Sequence, residues 1–432
     1  MVGPEEALKT QEYKAYRWRW LVLFAFCTFT FSNALGFVQY SPILSLAAEY
    51  YGVTDQDIVW FSNCYYITYV VFCPFTIRPL EKRLDLSLFL AALVTTLGQW
   101  FIYIAQQTYS FALVGFILIG MGQIFILAAP AYISDRWFPM HERTVSTSLG
   151  SFFNLVGLNF SIVYASITFQ NVTDHEEIVD QIDFMNLLFA IFTSLAFIFC
   201  ITMIRNKPAT PPSISAASEK MLILPSFKRA FRSIESIMDL LTFSMFIGVS
   251  WAYMVVIAIL LAPFNYTTEQ IGYVSIVYAA TGAVGGTLAS IYVDYQIKNN
   301  SKPHYDYLIK GFLTIGVAGI LIKALVINYV NDTVIVVLSG IIGFGLNSFL
   351  PLALQCYIEK LFPSFELVLT TAIMQMSNLF GFILNYILIL EVFLDVGLWV
   401  ILVAMGPFYL YLMFGYKTKF LRLEMEQQAA AA

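Results

Sequence analysis

The chain has 432 residues, of which 59% are hydrophobic and only 12% charged, and its mean hydropathy is +0.74. A soluble domain of this size cannot hide so much apolar surface, so the ordinary water-soluble classes are excluded and a lipid bilayer is the expected surrounding. The formal charge of −5 is small, and no basic surface of the kind that holds nucleic acid is apparent.

A bilayer-crossing helix needs about 20 mainly apolar residues. Apolar runs between polar breaks predict spans at 20–47, 58–77, 86–104, 110–133, 144–169 and 184–204. After a long gap they resume at 238–263, 271–292, 307–327, 334–357, 367–389 and 397–415. The expected fold class is therefore an all-α membrane protein with twelve transmembrane helices. Its predicted parts are a cytoplasmic N-terminal segment (1–19), a six-helix half (20–204), a cytoplasmic linker (205–237), a second six-helix half (238–415) and a cytoplasmic tail (416–432).

Orientation follows from lysine and arginine. With both termini in the cytoplasm, every one of the 23 basic residues except Lys323 falls in an inside segment. Lys323 sits near the outer end of the ninth predicted span and is expected to snorkel outward. The first apolar run is too long for a cleavable signal and reads as a signal anchor. Sequons at Asn171, Asn265 and Asn331 fall in predicted outer loops, which suggests a glycoprotein of the plasma membrane or an endomembrane. The linker is basic and contains Pro208, Pro211 and Pro212. Its second part, 224–236, reads either as a basic amphipathic helix on the membrane face or as a solvated connection.

Chemistry-bearing clusters are scarce. Cys27, Cys64, Cys73, Cys200 and Cys356 lie in apolar stretches without a CxxC pair, and the three histidines lack ligand spacing. No disulfide framework, metal site or cofactor is expected. No nucleophile–base pair or phosphate-binding glycine loop suggests an enzyme.

The two halves repeat. Shifting 129–157 by 224 positions gives eight identities, among them Phe138 with Phe362, Pro139 with Pro363, Glu142 with Glu366, Asn154 with Asn378 and Gly157 with Gly381. Two six-helix halves in parallel repeat are the arrangement of major facilitator carriers, with the substrate between the halves. The charged junctions carrying Asp135, Arg136, Glu142 and Arg143, and Glu359, Lys360 and Glu366, read as an inside gate closed by ion pairs, or as ordinary helix ends.

Several short motifs carry a family resemblance: Ser32-Asn33-Ala34, Gln39-Tyr40-Ser41-Pro42, Trp60-Phe61-Ser62, Ala128-Ala129-Pro130, Val293-Asp294-Tyr295 and Phe380-Gly381. In these the chain resembles the feline leukaemia virus subgroup C receptor-related transporters. The resemblance implies a carrier of choline or ethanolamine, with haem as a disputed cargo. The chain departs from the family where Phe37 replaces a first-span Trp, Phe152 a fifth-span Gln and Asn378 an eleventh-span Gln. The implied aromatic walls are Phe37 and Tyr253.

The residues themselves allow that chemistry. Acids fall only in loops or at span ends, so a cation would be held by aromatic faces rather than by a carboxylate. On the first span, Asn33, Phe37 and Tyr40 stand at i, i+4 and i+7 and form one stripe of a helix. Trp251 and Tyr253 lie near the middle of the seventh span, and Gln123, Asn154 and Asn378 supply amides. Ordinary packing aromatics and interhelical amide bonds explain the same residues. The expected function is facilitative movement of a small organic solute, most naturally an amine-like cation, by alternating access. The alternatives are a carrier of haem or another hydrophobic metabolite, and a non-transporting receptor or structural subunit with membrane-protein partners.

Overall fold

The computed structural model describes residues 13–431, apart from 171, 173, 218–221, 262, 263, 265, 300 and 391–395. The candidate glycosylation sites Asn171 and Asn265, and most of the 1–19 segment, lie outside the described residues. Among the described residues, ten helices are long and apolar enough to cross a bilayer, and two shorter apolar helices, Arg19–Leu35 and Tyr109–Gln123, make up the twelve expected spans.

Polar residues at the ends start several of these helices. Thr54 and Thr267 each form a reciprocal capping box, with Asp57 at the start of the second span (Asp55–Phe72) and Gln270 at the start of the eighth (Thr268–Lys298). Each box satisfies backbone N–H groups that the first helical turn leaves free. Ser233 caps the seventh span (Ile234–Val255), and the exposed Asn331 caps Asp332–Asn347. The outward faces are apolar, as lipid contact requires: Ile104, Ile167, Val403 and Phe414 are all more than half exposed.

Breaks in three of the spans shape the centre. The first helix stops at Leu35 and resumes only as a short turn at Ser41–Ile43 and the helix Leu44–Tyr51, so the predicted continuous span 20–47 is corrected. At the break Gly36 packs tightly, and a Cβ there would lie 2.6 Å from the Tyr65 hydroxyl. The fourth span divides into Tyr109–Gln123 and Ala129–Trp137, with Pro130 in the first turn of the second piece, where its missing N–H costs nothing. The tenth divides at Ser348 into Asp332–Asn347 and Phe349–Leu361.

The halves meet along two seams: the fifth span (Arg143–Thr168) packs on the eighth, and the second on the eleventh (Glu366–Ile389). Within the first half, Gly157 brings the fifth span onto the first so closely that a Cβ would stand 2.2 Å from the Phe31 carbonyl oxygen.

Candidate functional site

A cavity lies between the halves, and the broken helices supply much of its wall. Gln123, Ile126, Leu127 and Pro130 come from the break in the fourth span, and Leu346, Asn347, Leu350 and Pro351 from the break in the tenth. Such interruptions free backbone and side-chain polar groups at membrane depth, where only a protein-lined cavity tolerates them.

Four aromatic side chains line it: Phe37, Tyr66 and Phe152 from the first half and Trp251 from the second. The Phe37 ring is wedged against Tyr65 and Tyr66, with centroids 5.0 and 5.3 Å away. The Ser62 hydroxyl donates to the Phe37 carbonyl at 2.6 Å, satisfying a group released where the helix ends. Tyr66 is held in turn by Asn385, whose amide donates to its hydroxyl at 3.3 Å across the interface. Phe37 also lines a second, smaller cavity with Tyr40, Phe61, Val255 and Val256, and so stands between the two.

The polar part of the wall is uncharged. The repeat-related amides Asn154 and Asn378 both face the cavity. Asn154 donates to the Thr30 hydroxyl at 3.0 Å, and Asn378 to the Met374 carbonyl at 2.8 Å. Ser250 donates to Asn347 Oδ1 in a short hydrogen bond and lies 3.0 Å from the Tyr278 hydroxyl. Gln123 Oε1 and Asn347 Nδ2 are buried without a hydrogen-bond partner among the described residues. No Asp, Glu, Lys, Arg or His lines this cavity among the described residues.

The structure thus gathers six of the nine candidate binding residues, Phe37, Gln123, Phe152, Asn154, Trp251 and Asn378, around one cavity. Tyr40 belongs to the second cavity, its hydroxyl donating to Asn186 Oδ1 at 2.9 Å. Asn33 is spent on packing, donating to Thr95 Oγ1 and the Ile119 carbonyl, both at 3.0 Å. The proposed stripe fails because the helix ends before Phe37. Tyr253 is also turned away from the cavity. Two residues apart on a helix means about 200° of rotation, so Trp251 and Tyr253 cannot share a face.

Tyr253 instead meets Lys323, and here the expectation of snorkelling is corrected. Lys323 on the ninth span (Tyr305–Val326) is 1% exposed. Its ammonium donates to the Tyr253 hydroxyl at 2.9 Å and to Ser339 Oγ at 2.8 Å, and lies 5.4 Å from the Tyr253 ring centroid. Snorkelling presupposes a lipid-facing side chain, whereas this one points into the second half, where two oxygens receive it.

The charged residues collect at the end of the bundle that carries the linker. Asp135 pairs with Arg143 at 3.1 Å and also accepts a short hydrogen bond from Arg422 of the C-terminal helix (Leu421–Ala431). The next residue of that helix, Leu423, donates its backbone N–H to Glu359 at 3.1 Å. Lys360 pairs with Glu235 at 2.7 Å and Asp239 at 2.5 Å. Glu142 pairs with Arg19 at 2.8 Å, and Arg136 donates to Asn206 and the Glu81 carbonyl. Glu366 is buried.

Other residues also tie the halves together at this end. Asp294 of the eighth span accepts from the backbone N–H groups of Thr144 and Val145, at 3.2 and 2.8 Å, where a carboxylate favours the helix N-terminus. Gln355 donates to Thr147 Oγ1 at 2.7 Å. The sequence offered one signal for Asp294. An acid near the C-terminal end of a helix opposes the macrodipole and needs a partner elsewhere. Tyr66, Ser250 and Thr30 gave no signal that set them apart from packing residues.

Two six-helix halves enclosing a solute-sized, uncharged cavity define a membrane carrier. A profile described as Major Facilitator Superfamily matches residues 21–384, and the chain belongs to that superfamily. Among relatives, the Danio rerio protein named choline/ethanolamine transporter flvcr2a is 24% identical over 375 residues, covering 84% of this chain and 78% of its own. The Homo sapiens protein named choline/ethanolamine transporter FLVCR2 is 23% identical over 392 residues, covering 88% and 73%. A solved structure of the major facilitator transporter FucP in the outward conformation superposes with a TM-score of 0.66 at 14% identity, covering 93% of this chain and all of that one. The chain is a multi-pass membrane transporter rather than an enzyme, and the family resemblance read from its motifs is matched by these relatives.

Proposed function

We propose that the protein moves choline, ethanolamine or a closely similar organic cation by alternating access, bound between Phe37 and Trp251. The observation that carries this reading is a cavity with aromatic faces from both halves, a set of amides and no charged side chain. An alkylammonium ion suits such a site. Ring faces attract the cation, desolvated contacts being worth about 2 kcal/mol, while the amides receive the hydroxyl end. The two relatives named for choline and ethanolamine support the same class.

In this reading Phe37, standing between the two cavities, is both a wall of the site and the lid toward the outer one. The inner gate is closed by Asp294 on the fifth span and by the Asp135–Arg422 and Leu423–Glu359 contacts, which make the C-terminal helix a latch across the halves. With no carboxylate on the cavity wall, movement is facilitative, driven by the gradient of the solute itself. The crowding of basic residues at the linker end supports a cytoplasmic location for that end and for both termini. Asn331, exposed at the opposite end, is then a glycan acceptor.

Binding of choline should be compared with that of its uncharged carbon isostere, 3,3-dimethylbutanol, to the purified protein. The reading expects choline to bind roughly thirtyfold more tightly, the equivalent of about 2 kcal/mol of cation–ring attraction. Equal binding of the two would remove the cation-holding role from the aromatic walls.

A further inference from the structure

The linker carries a second candidate site, outside the cavity. Its helix, Ile223–Ala230, is pinned to the bundle by a narrow polar face. Ser226 Oγ accepts from the Phe365 backbone N–H at 2.9 Å, and Arg229 donates to the Phe362 carbonyl at 3.1 Å. Ser226 and Ala230 are buried there.

The other face is apolar and bare. Leu222 and Ile234 are more than three-quarters exposed, Leu224 is 63% exposed, and Phe227 and Phe231 stand open with their rings 4.8 Å apart. The seventh span begins at Ile234, so this face lies at the boundary of the bilayer. Apolar side chains at that depth sit among acyl chains, as in helices that lie in the membrane plane.

Beside that face is an open groove edged by Lys228, Arg229, Arg232, Lys360 and Lys419, with Glu235 the one acid on it among the described residues. Glu235 is already engaged by Lys360 at 2.7 Å and Lys419 at 3.4 Å. Lys228 and Arg232 are exposed and have no ion-pair partner among the described residues. Surplus cations in a groove whose rim is greasy complement one kind of molecule, a phosphate head joined to acyl chains.

We propose that this groove binds the head group of an anionic phospholipid of the linker-side leaflet, with its acyl chains against Leu224, Phe227 and Phe231. Basic residues at a membrane surface each add appreciably to the attraction of anionic lipid, and salt screens it. The apolar face decides for a lipid over free phosphate, which has nothing to place there. Because Lys360 and Glu235 belong both to the groove and to the bases of the seventh and tenth spans, an occupied groove braces the closed inner gate.

The test is lipid-dependent thermal stability of the purified full chain in detergent micelles. It uses phosphatidylglycerol, phosphatidylcholine of the same chain length and soluble inositol hexakisphosphate, and its readout is independent of the transported solute. Phosphatidylglycerol is expected to raise Tm, less so as salt increases, while phosphatidylcholine gives little change. The double variant Lys228→Gln/Arg232→Gln should keep its lipid-free Tm and bind phosphatidylglycerol about thirtyfold more weakly. Phe227→Ser should also weaken binding, which a headgroup-only site would not show. Equal shifts from both lipids, an undiminished shift in the double variant, or full stabilisation by inositol hexakisphosphate would each overturn the proposal.

Discussion

Around the cavity, Phe37, Tyr66, Phe152 and Trp251 stand among amides and hydroxyls, with no formal charge among the described residues. At the linker end, Asp135, Arg143, Glu359, Lys360 and Arg422 are all at least 95% buried: Asp135 holds Arg143 and Arg422, Glu359 accepts from the Leu423 backbone, and Lys360 pairs with Asp239. The contrast follows from what each region must do. A carrier has to release what it binds, and ring faces and amides give attraction of a few kcal/mol with no fixed counter-charge to abandon. A gate has to hold two halves in one state. Buried ion pairs do so because separating them exposes each partner to a large desolvation cost.

The linker end can be broken most severely. Asp135→Ala leaves Arg143 and Arg422 buried without their shared carboxylate, and should cost about 3–5 kcal/mol in unfolding experiments. Arg422→Ala should cost much less, since Asp135 keeps Arg143, yet it should increase labelling of an engineered cysteine on the cavity wall from the linker side. Undiminished stability in Asp135→Ala would show that this cluster is not an interdependent unit.

At the cavity the expected losses are in affinity rather than in fold. Trp251→Ala should raise KM for choline uptake about thirtyfold with an unchanged Tm, while Trp251→Phe should recover much of it. Asn154→Ala and Asn378→Ala should each weaken binding by about fivefold, one hydrogen bond's worth, and the double variant should multiply the two effects. A loss confined to one of them would mean that the repeat is not mirrored in the site.

Lys323 belongs to neither region, and the smallest effect is expected there. Its ammonium rests on two neutral oxygens, so Lys323→Met removes the desolvation cost of a buried charge. Stability should be unchanged or slightly raised in thermal unfolding. A large loss would show that the Tyr253–Lys323–Ser339 contact organises the second half.

Much of the architecture was legible before any coordinates. Hydropathy and lysine placement are sums over many residues, so twelve spans emerge even when single edges are uncertain. The repeat predicted the convergence of Asn154 and Asn378 because equivalent positions in two halves face the same axis. What stayed hidden depended on local breaks. The first helix ends at Leu35, and no periodicity reveals where such a stop falls. That break parts the presumed stripe: Asn33 is spent on packing, while Phe37 and Tyr40 line cavities. The choice between Trp251 and Tyr253 depends on a rotation that the sequence leaves undetermined. Arg422 lies in a polar tail, and only the docked helix shows it meeting Asp135.

The central claim is that Phe37 and Trp251 form the walls of a cation carrier's site. Uptake of labelled choline into proteoliposomes containing the intact protein, Phe37→Ala or Trp251→Ala tests it most directly. The account predicts saturable uptake by the intact protein and a much reduced apparent affinity in both variants at equal incorporation. Saturable uptake unaffected by either substitution, or none by folded protein under either direction of gradient, would contradict it.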